Sequence, residues 1–429
     1  MRPGPKLFLT LLFMLSMQLS AQEAVPAGDL LDSDIDALFE EEAQESEQEP
    51  EKDKDAAETE PSVLTQTLKR RGVTFGADYK FVAGYLPGWS EVPWIWKSRD
   101  ESFSQILAAD MGSLLLLDFQ LSPSLRIKHT LSFAFPEFVP ETKEFYCDYT
   151  LNDLAFFRIG KHAVPWGVSP NYAFANLPAR IPAGNSGGDP YAVKADIPVG
   201  IGGLQLLALT RSGFIADQEN PSVEVLGYGF KYNLALPLAD VNIGSFYHRE
   251  MPARGSMSLE VTLFGRTEMY AEGLVAFDQN TPEEPVFAAS LGLYDSFLND
   301  RLKLNGEYFY NGEDYSFTVD DIASIVDTEE SSPYPLGHNM TMNISYRPRS
   351  SVVRLFARVQ YNATENSGQV IPGCSVDLQH GLSVYLTGTM AVGSETGSYY
   401  RNNFDTYNRP FGLALAATIS GSYRKTFSY

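Results

Sequence analysis

The chain of 429 residues is long enough for two or three ordinary domains or for one large barrel. Aromatic residues make up 13% of it and glycines number 34, a composition that favours strands and turns over helices. The formal net charge of −22, with no basic stripe along the chain, excludes nucleic acid as a partner because phosphates would be repelled.

Residues 1–21 have the pattern of a secretory signal peptide. Arg2 and Lys6 come first, residues 7–15 are apolar, and the small residue Ala21 marks a site where a signal peptidase would cut. A transmembrane anchor is the competing interpretation, but the apolar run is short and no basic stop signal follows it. The sequence therefore predicts export.

An acidic segment follows, over residues 22–69. Within residues 22–62, 16 Asp and Glu stand against two lysines, which leaves −10 for residues 63–429. Such a segment buries too little apolar surface to offset its ordering entropy, so we expect a largely disordered periplasmic arm or a solvated leader without a partner. Apolar residues at helical spacing predict one short helix over residues 30–42.

Residues 70–429 alternate between apolar and polar positions. Near the start, Phe75 and Tyr79 share one face, and Asp78 and Lys80 share the other. Many of these stretches are long enough for a tilted strand to cross a bilayer. Alternating segments lie near 73–85, 105–120, 125–135, 144–151, 154–162, 191–199, 202–211, 223–236, 240–250, 256–265, 267–277, 285–295, 301–311, 338–347, 352–361, 371–379, 381–391 and 409–429.

The connections between these segments alternate between short and long. The long ones fall at 87–104, 163–190, 312–337 and 392–408. This alternation is typical of an up-and-down barrel with short turns at one rim and long loops at the other. The sequence therefore predicts an all-β fold, a large antiparallel transmembrane β-barrel of 16–18 strands with a best count of 18, and it excludes a helical membrane protein.

The export signal, the paired strands and the ending "GLALAATISGSYRKTFSY" together resemble a bacterial outer-membrane β-barrel of the porin type, over residues 70–429. The resemblance implies a place in the cell outer membrane, in contact with its lipid, as a monomer or homotrimer. It also implies periplasmic chaperones and a barrel-assembly machinery that recognises the closing strand. In this sequence the assembly signal would be Tyr423, Phe427 and Tyr429, with Lys425 interrupting the apolar row.

A second, local resemblance covers residues 156–177, within "FFRIGKHAVPWGVSPNYAFANLP". This stretch is similar to the strand and following loop of phosphate-selective-type and related substrate-specific porins, where an Arg-x-Gly-Lys strand end leads into Trp-Gly or Phe-Gly.

If the apolar positions face lipid, the charged positions between them line a lumen. At 16 to 18 strands the interior is too wide for side chains to fill, so we expect a water-filled channel rather than a salt-bridged plug. Interleaved carboxylates disfavour phosphate selectivity. The expected lumen-lining residues are Asp78, Lys80, Asp110, Asp118, Arg126, Lys128, Arg158, Lys231, Glu260, Glu268, Glu272, Lys303, Glu307, Arg354 and Arg358.

The long connection 163–190 is apolar in its first half and poor in charge. Because an apolar loop gains by folding inward, we interpret it as a constriction, and an ordinary rim loop is the alternative. The residues expected nearest to the solute path are Trp166, Tyr172, Phe174, Arg180 and Asp189.

The other distinctive residues predict no chemistry. Tryptophans at the outer connections, Trp89, Trp94, Trp96 and Trp166, favour a girdle at the lipid headgroups over sugar stacking. Cys147 and Cys374 take the outward parity of two distant strands, which disfavours a disulfide. Five scattered histidines offer no metal site, and nucleophile and cofactor motifs are absent, so we expect no metal, no cofactor and no enzyme.

The sequence predicts an outer-membrane channel that lets small hydrophilic solutes or ions diffuse passively. Three alternatives remain open at this point. They are a surface adhesin or antigen that uses the barrel as a pedestal, a transporter of hydrophobic substrates, and a soluble secreted β-protein.

Overall fold

The structure is a computed structural model. It describes residues 72–89, 103–134, 139–152, 154–172, 174–180, 189–210, 226–248, 251–264, 266–277, 285–312, 335–349, 351–378, 381–399 and 411–428. The expected signal peptide 1–21, the acidic arm 22–69 with its helix 30–42, and Tyr429 lie outside these residues.

The described residues form one 18-stranded antiparallel sheet. The predicted all-β class and the count of 18 are confirmed, and the alternative of 16 is wrong. The strands are β1 (Gly72–Trp89), β2 (Phe103–Ser122), β3 (Leu125–Ala134), β4 (Pro140–Leu151), β5 (Ala155–Lys161), β6 (Tyr191–Val199), β7 (Gly202–Thr210), β8 (Gly227–Leu236), β9 (Ala239–Tyr247), β10 (Ala253–Leu263), β11 (Thr267–Phe277), β12 (Val286–Phe297), β13 (Leu302–Asn311), β14 (Gly337–Tyr346), β15 (Val353–Asn362), β16 (Ser367–Asp377), β17 (Leu382–Gly393) and β18 (Phe411–Ser428).

The sheet closes on itself as a barrel. Each strand pairs with the next along the chain, and β1 also pairs with β18, from Gly72 opposite Ser428 to Trp89 opposite Phe411. Closure removes the exposed edges that an open sheet would have. The connections at one rim are short, as at 200–201, whereas the opposite rim carries the long ones.

The two faces of the wall differ in polarity, as the period of two requires. On β12, Phe287 and Leu291 are more than half exposed on the outside, whereas Ala288 and Ser290 between them are buried on the inside. The burial of the inner face means that something covers it within the barrel. No helix among the described residues is long and apolar enough to cross a membrane; one short 3-10 helix, Leu177–Arg180, lies in the connection between β5 and β6.

Candidate functional site: the barrel interior and its inserted segment

The strand register gives the position of each charged residue on the wall. Directly opposed residues of antiparallel strands share a face, and Asp118 lies opposite Lys128 while Arg126 lies opposite Asp148. Following such pairs around the barrel puts these residues on the inner face: Asp78, Lys80, Asp110, Asp118, Arg126, Lys128, Arg158, Lys231, Glu260, Glu268, Glu272, Lys303, Glu307, Arg354 and Arg358.

Cations on the β2–β6 part of the inner wall lie against carboxylates. The ion pairs there are Arg126 with Asp118 at 2.6 Å, Lys128 with Glu144 at 2.8 Å, Arg158 with Asp148 at 2.7 Å, and Lys194 with Asp196 at 2.9 Å. This part of the wall is therefore polar and close to neutral rather than strongly basic.

The connection between β5 and β6 enters the barrel. We call its described first part, residues 162–172 and 174–180, the inner segment. At its base the His162 N–H donates to the Pro190 carbonyl at 3.1 Å. Gly160 has φ 134, and a Cβ there would lie 2.1 Å from the Phe145 carbonyl oxygen, so only glycine fits this strand end. Burial lowers the pKa of His162 to about 4, which keeps the ring neutral near pH ~7.

The inner segment first crosses β7 and then β11. The Trp166 indole Nε1 donates to Gln205 Oε1 at 2.6 Å, and the indole meets the Phe246 ring edge to face at 6.1 Å. The Val168 N–H then donates to Glu272 Oε1 at 2.9 Å. Both acceptors lie on the inner face, so the chain runs along the wall.

The next residues bind to β13. The Ser169 hydroxyl donates to Glu307 Oε1, and Asn171 donates to Glu307 Oε2 from its backbone N at 3.2 Å and from Nδ2 at 2.9 Å. Asn171 Nδ2 also donates to Asn305 Oδ1 at 2.7 Å, and Asn343 Nδ2 on β14 donates back to Asn171 Oδ1 at 2.8 Å. Three polar side chains of the wall thus fix Ser169 and Asn171 of the segment.

Aromatic packing completes the contact with the wall. The rings of Tyr172 and Phe174 lie 4.7 and 4.8 Å from that of Phe309 on β13, and the Tyr172 hydroxyl is 2.7 Å from Thr341 Oγ1. Burial raises the pKa of the Tyr172 phenol. Together with aliphatic residues of β6 to β12, these rings form one buried cluster between segment and wall.

This cluster corrects two expectations. Trp166 is 3% exposed and faces the inner wall, so the headgroup girdle is wrong for this tryptophan. Tyr172 and Phe174, expected nearest to the solute path, are also turned to the wall, because burial against Phe309 removes their apolar surface from water. Arg180 ends the 3-10 helix and Asp189 is partly exposed, while the side chains of Trp89, Trp94, Trp96 and Arg180 lie outside the described part.

The opposite side of the inner segment borders the open interior. Pro165 and Pro170 are exposed there, and residues 163–179 contain no charged side chain. Across the interior the charged wall is accessible, with side-chain exposures of 40% for Arg126 and 43% for Arg424. Toward the short-turn rim, Pro170 and Glu260 help to line a cavity of about 800 Å³. The open interior therefore lies between an uncharged segment and a charged wall.

Sequence reasoning missed the uncharged partners of the inner segment, Gln205, Asn305, Thr341 and Asn343. Each takes the inward parity of its strand, and polar residues at inward positions were the available signal.

The fold and its interior define the class as a closed 18-stranded antiparallel barrel in which the described part of the connection between β5 and β6 lies inside. No protein-family model matches the chain, and no curated protein matches it.

Solved structures share the fold. The crystal structure of Pseudomonas aeruginosa OccK11 (OpdR) is similar with a TM-score of 0.52 and 9% identity, over 83% of this chain and 99% of that one. That of P. aeruginosa OccK3 (OpdO) gives a TM-score of 0.50 and 11% identity, over 81% of this chain and 96% of that one. At these identities the likeness is one of fold.

Proposed function

We propose that this protein is an outer-membrane channel through which small hydrophilic solutes or ions diffuse passively. One observation carries the proposal: the inner segment follows the inner wall from β7 to β14 and leaves the charged wall beyond it accessible. A barrel of this strand number is too wide for side chains to fill, so water occupies the rest. The large apolar side chains exposed on the outer face support a lipid setting.

Passage through such a channel needs no conformational cycle. Solutes are selected by the width left beside Pro165 and Pro170 and by the charges that face them. The residues expected to line the lumen would act together, by offering partners of both signs to a hydrated solute. An uncharged surface on one side and paired charges on the other favour polar solutes of low net charge.

The local resemblance to phosphate-selective-type porins over residues 156–177 does not extend to a phosphate site in this proposal. Arg126, Lys128 and Arg158 each have a carboxylate within ion-pair distance. An entering phosphate would have to compete with those carboxylates, which weakens anion binding.

Reconstitution in a planar bilayer tests the proposal. Folded protein should give stepwise increases of current in a simple salt such as KCl, and a variant without residues 163–179 should give larger steps, because the inner segment then no longer narrows the lumen. The same protein unfolded by boiling is the control. Folded, inserted protein that conducts no current would overturn the proposal.

A further inference from the structure

Among the described residues, Glu307 accepts more hydrogen bonds from the inner segment than any other residue of the wall. Its side chain is 4% exposed. Oε1 accepts from the Ser169 hydroxyl, and Oε2 accepts from the Asn171 backbone N, from Asn171 Nδ2 and from the Tyr270 hydroxyl at 3.0 Å. Both oxygens act only as acceptors, and a carboxyl group has that capacity on both oxygens only when it is ionised.

Glu272 holds the segment in a different way. It is also 4% exposed, and its Oε1 accepts from the Val168 N–H at 2.9 Å. Its Oε2 has no hydrogen-bond partner among the described residues. A proton on Oε2 would therefore leave the bond from Val168 to Oε1 in place. Protonation of Glu307 would instead replace a carboxylate that accepts three bonds from the segment with a neutral carboxyl group, which is a weaker acceptor.

We propose that Glu307 is the positioning residue of the channel: in its ionised form it holds the inner segment against the wall, and its protonation releases residues 169–171 into the solute path. This inference rests on the proposed channel function. The current through the channel would then be steady near neutral pH and interrupted by brief blockages in acid.

The protonation state of Glu307 depends on the groups that face it. The titratable groups that face it are Tyr270 and Glu272 on β11 and Tyr172 in the segment, and the residues directly opposite it on β12 and β14 are Gly292 and Thr341. The described donors to Glu307 are all neutral, so its charge is balanced by hydrogen bonds alone. Loss of one such bond leaves a buried group without a partner and loosens the segment.

The released segment would not leave the barrel. The packing of Tyr172 and Phe174 on Phe309 remains in acid because it involves no ionised group. Residues 169–171 would instead fluctuate between the wall and the path, which blocks the current briefly and repeatedly. Such interruptions can be counted in single-channel recordings.

The experiment compares recordings between pH ~7 and pH ~4, the range in which a glutamic acid takes up its proton. We expect the frequency of interruptions in the unmodified protein to rise about tenfold, the factor that loss of one hydrogen bond to a charged group would produce. Glu307→Gln, which places a donor where an acceptor is needed, should show frequent interruptions already at neutral pH and no further rise in acid.

Three further variants isolate the cause. Glu272→Gln keeps an oxygen for Val168, so it should retain the acid response. A Ser169→Ala/Asn171→Ala double variant removes donors from the segment side without altering the wall, and should reproduce Glu307→Gln even if the latter folds poorly. Asp377→Asn removes a carboxylate that pairs with Arg347 at 2.9 Å near the short-turn rim, and it serves as the control for a general loss of charge.

Each outcome decides a separate point. Absence of conductance from folded protein would overturn the channel proposal itself. Channels of the unmodified protein that stay equally steady at both pH values would overturn only the role of Glu307. An acid response that persists in Glu307→Gln would also overturn that role and would assign the response to another titratable group at the segment, such as Glu272, which accepts the Val168 N–H, or His162 at its base.

Discussion

Gly229 on β8 lies directly beneath the indole of Trp166. A Cβ at this position would lie 2.7 Å from Trp166 Cη2 and 2.9 Å from Phe246 Cδ2. The absence of a side chain is therefore what lets the indole lie close to the wall and reach Gln205. Close packing of this kind tolerates little added volume.

Replacing Gly229 with alanine tests this contact by adding a single methyl group. Gly229→Ala should push the indole away from β8 at a cost of about 1–3 kcal/mol. In a background where the other three tryptophans are phenylalanine, the Trp166 emission should shift to longer wavelength. Gly306→Ala is the matched control, since a Cβ there meets nothing within 4 Å. Equal emission from both variants would contradict the packing.

For individual residues, the sequence predicted which face of a strand a side chain takes but not which residues it contacts. The period of two predicted that Glu272 and Glu307 point away from the apolar face, and in the structure both side chains accept hydrogen bonds from the inner segment. Their partners in residues 168–171 could not be derived, because those contacts join parts of the chain far apart in sequence and depend on the register of all strands between them. The girdle prediction was wrong for Trp166 for the same reason, because a tryptophan in an outer connection has the same local sequence whether it faces lipid or the interior.

At the scale of elements, local pattern was sufficient for the strands. The predicted bounds 191–199 and 267–277 coincide with β6 and β11, whereas the predicted segment 371–379 overlaps β16, which begins earlier, at Ser367. Strands of this type are specified by alternation and by the turns between them, both of which are local. For the connection 163–190, the apolar and charge-poor sequence predicted only that the loop folds inward, and it did not predict which strands the loop contacts.

The closing strand β18 provides a prediction at this scale. Tyr423 and Phe427 are about half exposed on its outer face, where they are accessible from outside the barrel. Phe427→Ala and Tyr429→Ala should each lower the amount of inserted barrel, measured as the fraction that resists unfolding by detergent before heating. The conductance of channels that do insert should stay unchanged. Phe287→Ala, another exposed aromatic residue on the outer face, is the control, and an equal loss of insertion from it would argue against a signal in β18.

The barrel closes where its first and last strands, β1 and β18, pair, and we call this pairing the seam. Across this seam Arg424 donates to both oxygens of Asp78, from Nη1 at 2.7 Å and from Nη2 at 2.6 Å. One bidentate pair at a partly exposed site contributes little by itself. Closure rests on the whole ladder of β1 and β18, which extends from Gly72 to Trp89.

A disulfide across the seam would report this closure directly. Thr74 and Thr426 are directly opposed and their Oγ1 atoms lie 2.9 Å apart, so cysteines at both positions can bridge. In a Cys147→Ser/Cys374→Ser background, the Thr74→Cys/Thr426→Cys protein should migrate faster than the reduced form after boiling in detergent, because the disulfide keeps almost the entire chain in one loop. Thr74→Cys/Ser420→Cys places the second cysteine further along β18 and should show no such shift. Equal mobility of the two oxidised proteins would mean that β1 and β18 do not meet in this register, and the barrel would have to close elsewhere.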